Sequence, residues 1–98
     1  MTEVRLNDEV LGQVLVCFDG RVLEVFSEGP ASISRFHIGL LVIEAKEPDR
    51  KGRHQVDFAP VRAGRNGVRL ILSEADRRAI EPVLVEVRSA LTQSSRNF

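Results

Sequence analysis

Residues 10–27 read VLGQVLVCF, then Asp19-Gly20, then RVLEVFS. An Asp-Gly pair between two runs rich in branched and aromatic side chains predicts a tight hairpin. The turns that match strand twist need positive φ, and glycine adopts it without a Cβ clash. By alternation, Val14, Val16 and Phe18 share one face of the first strand, and Leu11, Leu15 and Cys17 share the other. Neither face is polar, so cover on both sides is expected.

The same strand-sized spacing continues toward the C-terminus. Glu28 to Ser32 (EGPAS) reads as a loop, since proline cannot donate to a ladder. Ile33 to Glu47 is the longest β-like stretch, interrupted at Gly39, and predicts two strands near 33–38 and 40–46 turning a corner there. In the first of these, Phe36 and Ile38 are expected inward and Arg35 and His37 outward. A charged turn, Pro48 to Arg53, leads to an alternating strand over 54–59 with Val56 and Phe58 on one face. A second basic turn, Pro60 to Gly67, precedes a last strand in which Val68, Leu70 and Leu72 share a face and Ile71 lies opposite. Residues 1–9 are polar apart from Val4 and Leu6, and suit an edge strand or a loose surface segment.

After Ser73 the period changes. Ser73 is a good N-cap, with Glu74 and Asp76 placed to complement the helix dipole. Ala79, Ile80, Val83, Leu84, Val87 and Leu91 fall within about 140° of arc, a single apolar stripe. Pro82 removes one backbone bond, yet it projects away from that stripe, which runs in phase through it. The pattern predicts one kinked helix over about 74–92 and a frayed tail over 93–98.

Composition sets the bounds. Leu, Ile, Val and Phe make 33 of 98 residues, enough for a packed core in a single domain, with a core region of about 10–92. Val and Ile together outnumber Leu by 18 to 10, which favours strands. Fourteen basic residues balance fourteen acidic ones, so overall charge names no partner. One cysteine cannot form an internal disulfide, and no apolar run is long enough to span a bilayer. The first ten residues lack a secretory pattern, and a cytoplasmic protein is the expectation.

Several short strands closed by one amphipathic helix resemble the small bacterial pleckstrin-homology-like (PH-like) domains. The residues that carry the likeness are Phe18-Asp19-Gly20-Arg21, Arg35-Phe36-His37-Ile38, Asp49-Arg50-Lys51-Gly52-Arg53 and the helix from Ser73 to Leu91. The resemblance implies a mainly β (α+β) fold: a half-open antiparallel barrel of six to seven strands, capped by the C-terminal helix. It also implies a docking or assembly module rather than an enzyme, and makes self-association plausible. Phosphoinositide binders of this superfold use a long basic loop between the first two strands. Here that connection is Asp19-Gly20, with Arg21 its single cation, so phosphoinositide binding by that route is not expected.

Two surfaces are candidates for function. Residues 1–45 carry a net charge of −4 and residues 46–69 a net of +4. Within the second segment, Arg50, Lys51, Arg53, Arg62, Arg65 and Arg69 are the candidate anion- or partner-binding residues, for a phosphate, an acidic peptide or, as the alternative function, a nucleic acid. Solvated turns with scattered ion pairs explain the same residues, and no aromatic side chain is exposed among them to stack a base, so nucleic acid is not favoured. The second surface is apolar: Leu41, Ile43, Ile71 and Val85 are expected outward by alternation and helical phase, and form the candidate oligomer interface. Cys17, His37 and His54 lack metal-ligand spacing, and no nucleophile motif or phosphate loop is present, so no catalytic residue, metal or cofactor is assigned. The resulting expectation is a non-catalytic binding or assembly module that associates with itself.

Overall fold

A computed structural model describes residues 2–28, 32–60 and 67–96; predictions for 29–31, 61–66 and 97–98, including Arg62 and Arg65, lie outside the described residues. Among the described residues, seven strands form two antiparallel meanders, followed by one helix. β1 (Thr2–Asp8), β2 (Gly12–Phe18), β3 (Val22–Ser27) and β4 (Ser32–His37) make the first sheet in that order. β5 (Leu41–Ala45), β6 (His54–Pro60) and β7 (Val68–Leu72) make the second, and α1 (Glu74–Arg96) ends the chain. Among the described residues no helix is long and apolar enough to cross a membrane.

The predicted hairpin is β2–β3, with its turn one residue further on than expected. Phe18 pairs with Leu23, and the Asp19 N–H donates to the Val22 carbonyl at 3.3 Å, so Gly20 and Arg21 occupy the turn. The cause is the Asp19 side chain, whose Oδ1 accepts from the Arg21 and Val22 N–H groups at 2.8 Å each. Those two bonds hold the Asp19 carboxyl below its ordinary pKa. Gly20 has φ +100° with open space around it, so any penalty for a side chain there is one of backbone conformation alone. Gly20→Val is therefore expected to lower stability by about 1–3 kcal/mol in urea unfolding. A change below about 0.5 kcal/mol would contradict the turn assignment.

Core residues come from one face of each sheet and one stripe of the helix. Val14, Val16, Phe18, Leu23, Val25 and Phe36 meet Leu41, Val56, Phe58, Leu70 and Leu72, and Ile80, Val83, Leu84 and Val87 close over them. The Phe36 and Phe58 rings bridge the sheets, centroids 6.5 Å apart. Ser73 caps the helix as expected: its Oγ accepts from the Asp76 N–H at 3.2 Å. The helix is continuous through Pro82, which is exposed, and extends to Arg96, past the predicted end near 92. Ala79, placed in the stripe by periodicity, is exposed.

β1 decides how the two sheets meet. Its edge away from β2 presents the N–H groups of odd-numbered residues. Asn7 donates to Asp76 Oδ2 at 3.1 Å, and Glu9, just beyond the strand, donates to the Ile71 carbonyl at 3.1 Å. Between them Asp8 is buried, with 5% of its surface exposed. Its Oδ2 accepts from Val10 and Leu11 at 2.8 and 2.6 Å, and its Oδ1 accepts from Ile71 on β7 at 2.6 Å. One carboxylate thus folds the β1–β2 loop and ties it to the other sheet.

The corner between β4 and β5 corrects the predicted interface. A single 3-10 turn, Ile38–Leu40, separates the strands, and His37 Nδ1 caps it by accepting from the Gly39 N–H at 3.1 Å. A 3-10 turn advances about 120° per residue where a strand alternates at 180°, so inside-out parity does not carry across it. Even residues face inward before the turn, at Phe36 and Ile38, and odd ones after it, at Leu41, Ile43 and Ala45. Leu41 is buried at 4% exposure and Ile43 packs against the core, both opposite to the outward expectation. Leu40 and Val42 are the exposed pair instead.

Candidate functional site

Of the four basic candidates among the described residues, Arg53 and Arg69 are held in ion pairs. In the turn between β5 and β6, Asp49 Oδ1 accepts from the Lys51 and Arg53 N–H groups at 2.9 Å each. The Arg53 Nε donates to Asp49 Oδ2 at 2.7 Å, and its Nη1 reaches both Glu9 oxygens at 3.1–3.2 Å. The Asp49 carboxyl is held below its usual range, first by the Arg53 backbone N–H and then by its guanidinium. The Arg53 pKa is raised in turn by Asp49 and Glu9. Arg53 is thus a clasp between this turn and the β1–β2 loop.

Arg69 is likewise engaged, its Nε 3.2 Å from Asp57 Oδ1. Arg50 and Lys51 are exposed and have no ion-pair partner among the described residues. A groove of about 640 Å³ beside the clasp is lined by Glu9, Glu47 and Asp49 as well as Lys46 and Arg53. Its carboxylates outnumber its cations, which disfavours an anion there.

Among the described residues, the outer edges of β4 and β5 have no partner strand. The Ile38 N–H donates to the Arg21 carbonyl at 2.8 Å, which sets the parity of the β3–β4 ladder: Ser34 and Phe36 bond to β3, while Ile33, Arg35 and His37 direct their backbone groups away from the sheet. Similarly, the Lys46 bond to the Gln55 carbonyl leaves Ile43 and Ala45 of β5 facing outward. By contrast, the β1–β7 seam is sealed by Asp8, Glu9 and Asp76 as described above.

Beside the β4 edge, the outer face of the first sheet carries an apolar row. Leu15 pairs with Phe26 and Phe26 with Ile33, and Ile33, on the edge, is 57% exposed. A groove of about 370 Å³ runs by this row, lined by Arg5, Leu15, Phe26 and Glu28 among others. The neighbouring row is Glu3, Cys17, Glu24 and Arg35, with the Arg35 Nε 2.8 Å from Glu24 Oε2. On the outer face of β2, Leu15 and Cys17 are flanked by side chains of β1 and β3. Cys17 is closed in among them, and burial followed by a hydrogen bond to Glu3 pushes its thiol pKa up, away from reactivity.

Of the predicted interface residues, Val85 is exposed at 51%, as its helical phase requires. Ile71 does face away from Leu70 and Leu72 but is half-buried beneath the β1–β2 loop, through the bonds to Asp8 and Glu9. Sequence reasoning missed Ile33, because a single exposed isoleucine carries no pattern. It missed Asp8 because the partner on β7 lies 63 residues away. Among the described residues, no group of three or more His, Cys, Asp or Glu side chains is placed to hold a metal ion. Comparisons with protein-family models, curated proteins and solved structures return no match to this chain.

Proposed function

We propose that this chain is a non-catalytic assembly module of PH-like organisation that associates with copies of itself. The observation that carries the reading is the pair of strand edges, on β4 and β5, that no described residue pairs, each beside exposed apolar side chains. Unpaired N–H and C=O groups in a row template the addition of another strand, and soluble monomers ordinarily blunt such edges. Ile33, Leu40, Val42 and Val85 supply exposed apolar surface among the described residues. Zero net charge imposes little long-range repulsion between copies. Seven antiparallel strands followed by one helix match the composition the PH-like resemblance implies, and support that organisation.

Light scattering across a dilution series tests the reading. The mass is expected to exceed the 10.9 kDa of one chain and to rise with concentration between about 1 and 100 µM. A strict monomer throughout would overturn it. Tight binding to generic duplex DNA with a steep salt dependence would favour the basic-turn alternative instead.

A further inference from the structure

Resting on that self-association, we infer that β4 is the pairing edge: it joins β4 of a second copy, antiparallel, about a two-fold axis at Arg35. The argument starts from which backbone groups are free. Ile33, Arg35 and His37 alternate along one edge, and none of their N–H groups has a partner among the described residues. Centring the two-fold on Arg35 sets Ile33 against His37 of the partner subunit, Arg35 against Arg35 of the partner subunit, and His37 against Ile33 of the partner subunit. Every free N–H then meets a carbonyl, and the His37 carbonyl, which opens the 3-10 turn, has two lone pairs to offer. Shifting the register by two residues toward the 3-10 turn sets Ile33 against Gly39 of the partner subunit, which lies outside the strand. An isologous contact needs a surface that is its own complement, and this edge meets that condition.

Side chains agree with the same register. On the outer face, the apolar row Leu15, Phe26 and Ile33 would continue across the axis onto the His37 ring and Val22 of the partner subunit. The two Arg35 guanidiniums meet near the axis, and each already holds its own Glu24 at 2.8 Å, so the four charges sum to zero. On the inner face, half-buried Ser34 lies opposite Phe36 of the partner subunit, a small residue against a large one. The β5 edge is the weaker candidate. Its free run is shorter, because the Leu41 N–H is spent on the Ile38 carbonyl. It is also flanked by α1 across a groove of about 420 Å³ lined by Lys46, Glu47, Arg77 and Glu81.

Cysteine cross-linking reads the register directly. In Arg35→Cys the two new thiols would sit about 5.5 Å apart between Cα atoms, within disulfide reach. In Ile33→Cys they would sit roughly 14 Å apart, out of reach. Arg35→Cys is expected to form covalent dimer on mild oxidation at least about tenfold faster than Ile33→Cys or the unsubstituted chain, whose Cys17 is buried. Arg35→Pro, which removes an N–H that points off an edge strand, should keep the circular dichroism spectrum and weaken self-association about tenfold or more. Equal cross-linking at 33 and 35, or association unchanged by Arg35→Pro in a self-associating protein, would overturn the β4 pairing and leave the assembly reading intact. A strict monomer by light scattering would overturn both.

Discussion

Replacing Asp8 by alanine is expected to destabilise the chain by about 3–5 kcal/mol, a large part of the roughly 5–15 kcal/mol that holds a small domain together. The carboxylate accepts three backbone N–H groups, from Val10, Leu11 and Ile71, at 2.6–2.8 Å. Each donor left without a partner in a part-buried site costs about 1–3 kcal/mol, and water can reach some of the loop side, which keeps the total below the full sum. The loss also falls on the seam between the sheets, so β1 should loosen with it. Glu9→Ala is the control, since it removes an exposed carboxylate from the Arg53 clasp and should cost under about 1 kcal/mol. Equal, small effects of both substitutions on the urea midpoint would mean that Asp8 does not hold the β1–β7 junction.

Leu84→Ala should cost about 2–5 kcal/mol, whereas Val85→Ala in the monomer should stay within about 0.5 kcal/mol. Leu84 is fully enclosed in the core beneath the helix, and truncating it opens a cavity that neighbouring sheets cannot close without moving. Val85, one residue on, points to solvent and loses little by truncation. Thermal unfolding of the two variants checks the helical phase, and comparable losses would contradict it.

What could be read from sequence followed from local periodicity. The β2–β3 hairpin, the bend near Gly39, the inward pair Val56 and Phe58, and the helix stripe through Ile80, Val83, Leu84 and Val87 all stand as alternation and 3.6-residue spacing implied. Failures came where an element's conformation depended on something else. The hairpin turn moved by one residue because the Asp19 side chain captured two N–H groups. Leu41 and Ile43 changed face because a three-residue 3-10 turn broke the parity carried from Phe36. β1 read as a polar edge because the reason for Asp8 lies on β7. Charge counting could not tell that Arg53 and Arg69 were already paired. The open β4 edge was invisible for a plainer reason: ladder parity is a property of pairing, not of residue type.

Amide hydrogen exchange at two protein concentrations, about 5 and 500 µM, tests the central claim most directly. In the single chain the N–H groups of Ile33, Arg35 and His37 have no acceptor among the described residues, while those of Ser34 and Phe36 are bonded to β3. Self-association through β4 predicts that protection of the first three rises with concentration while the other two change little. Exchange at Ile33, Arg35 and His37 that is fast and identical at both concentrations would contradict it.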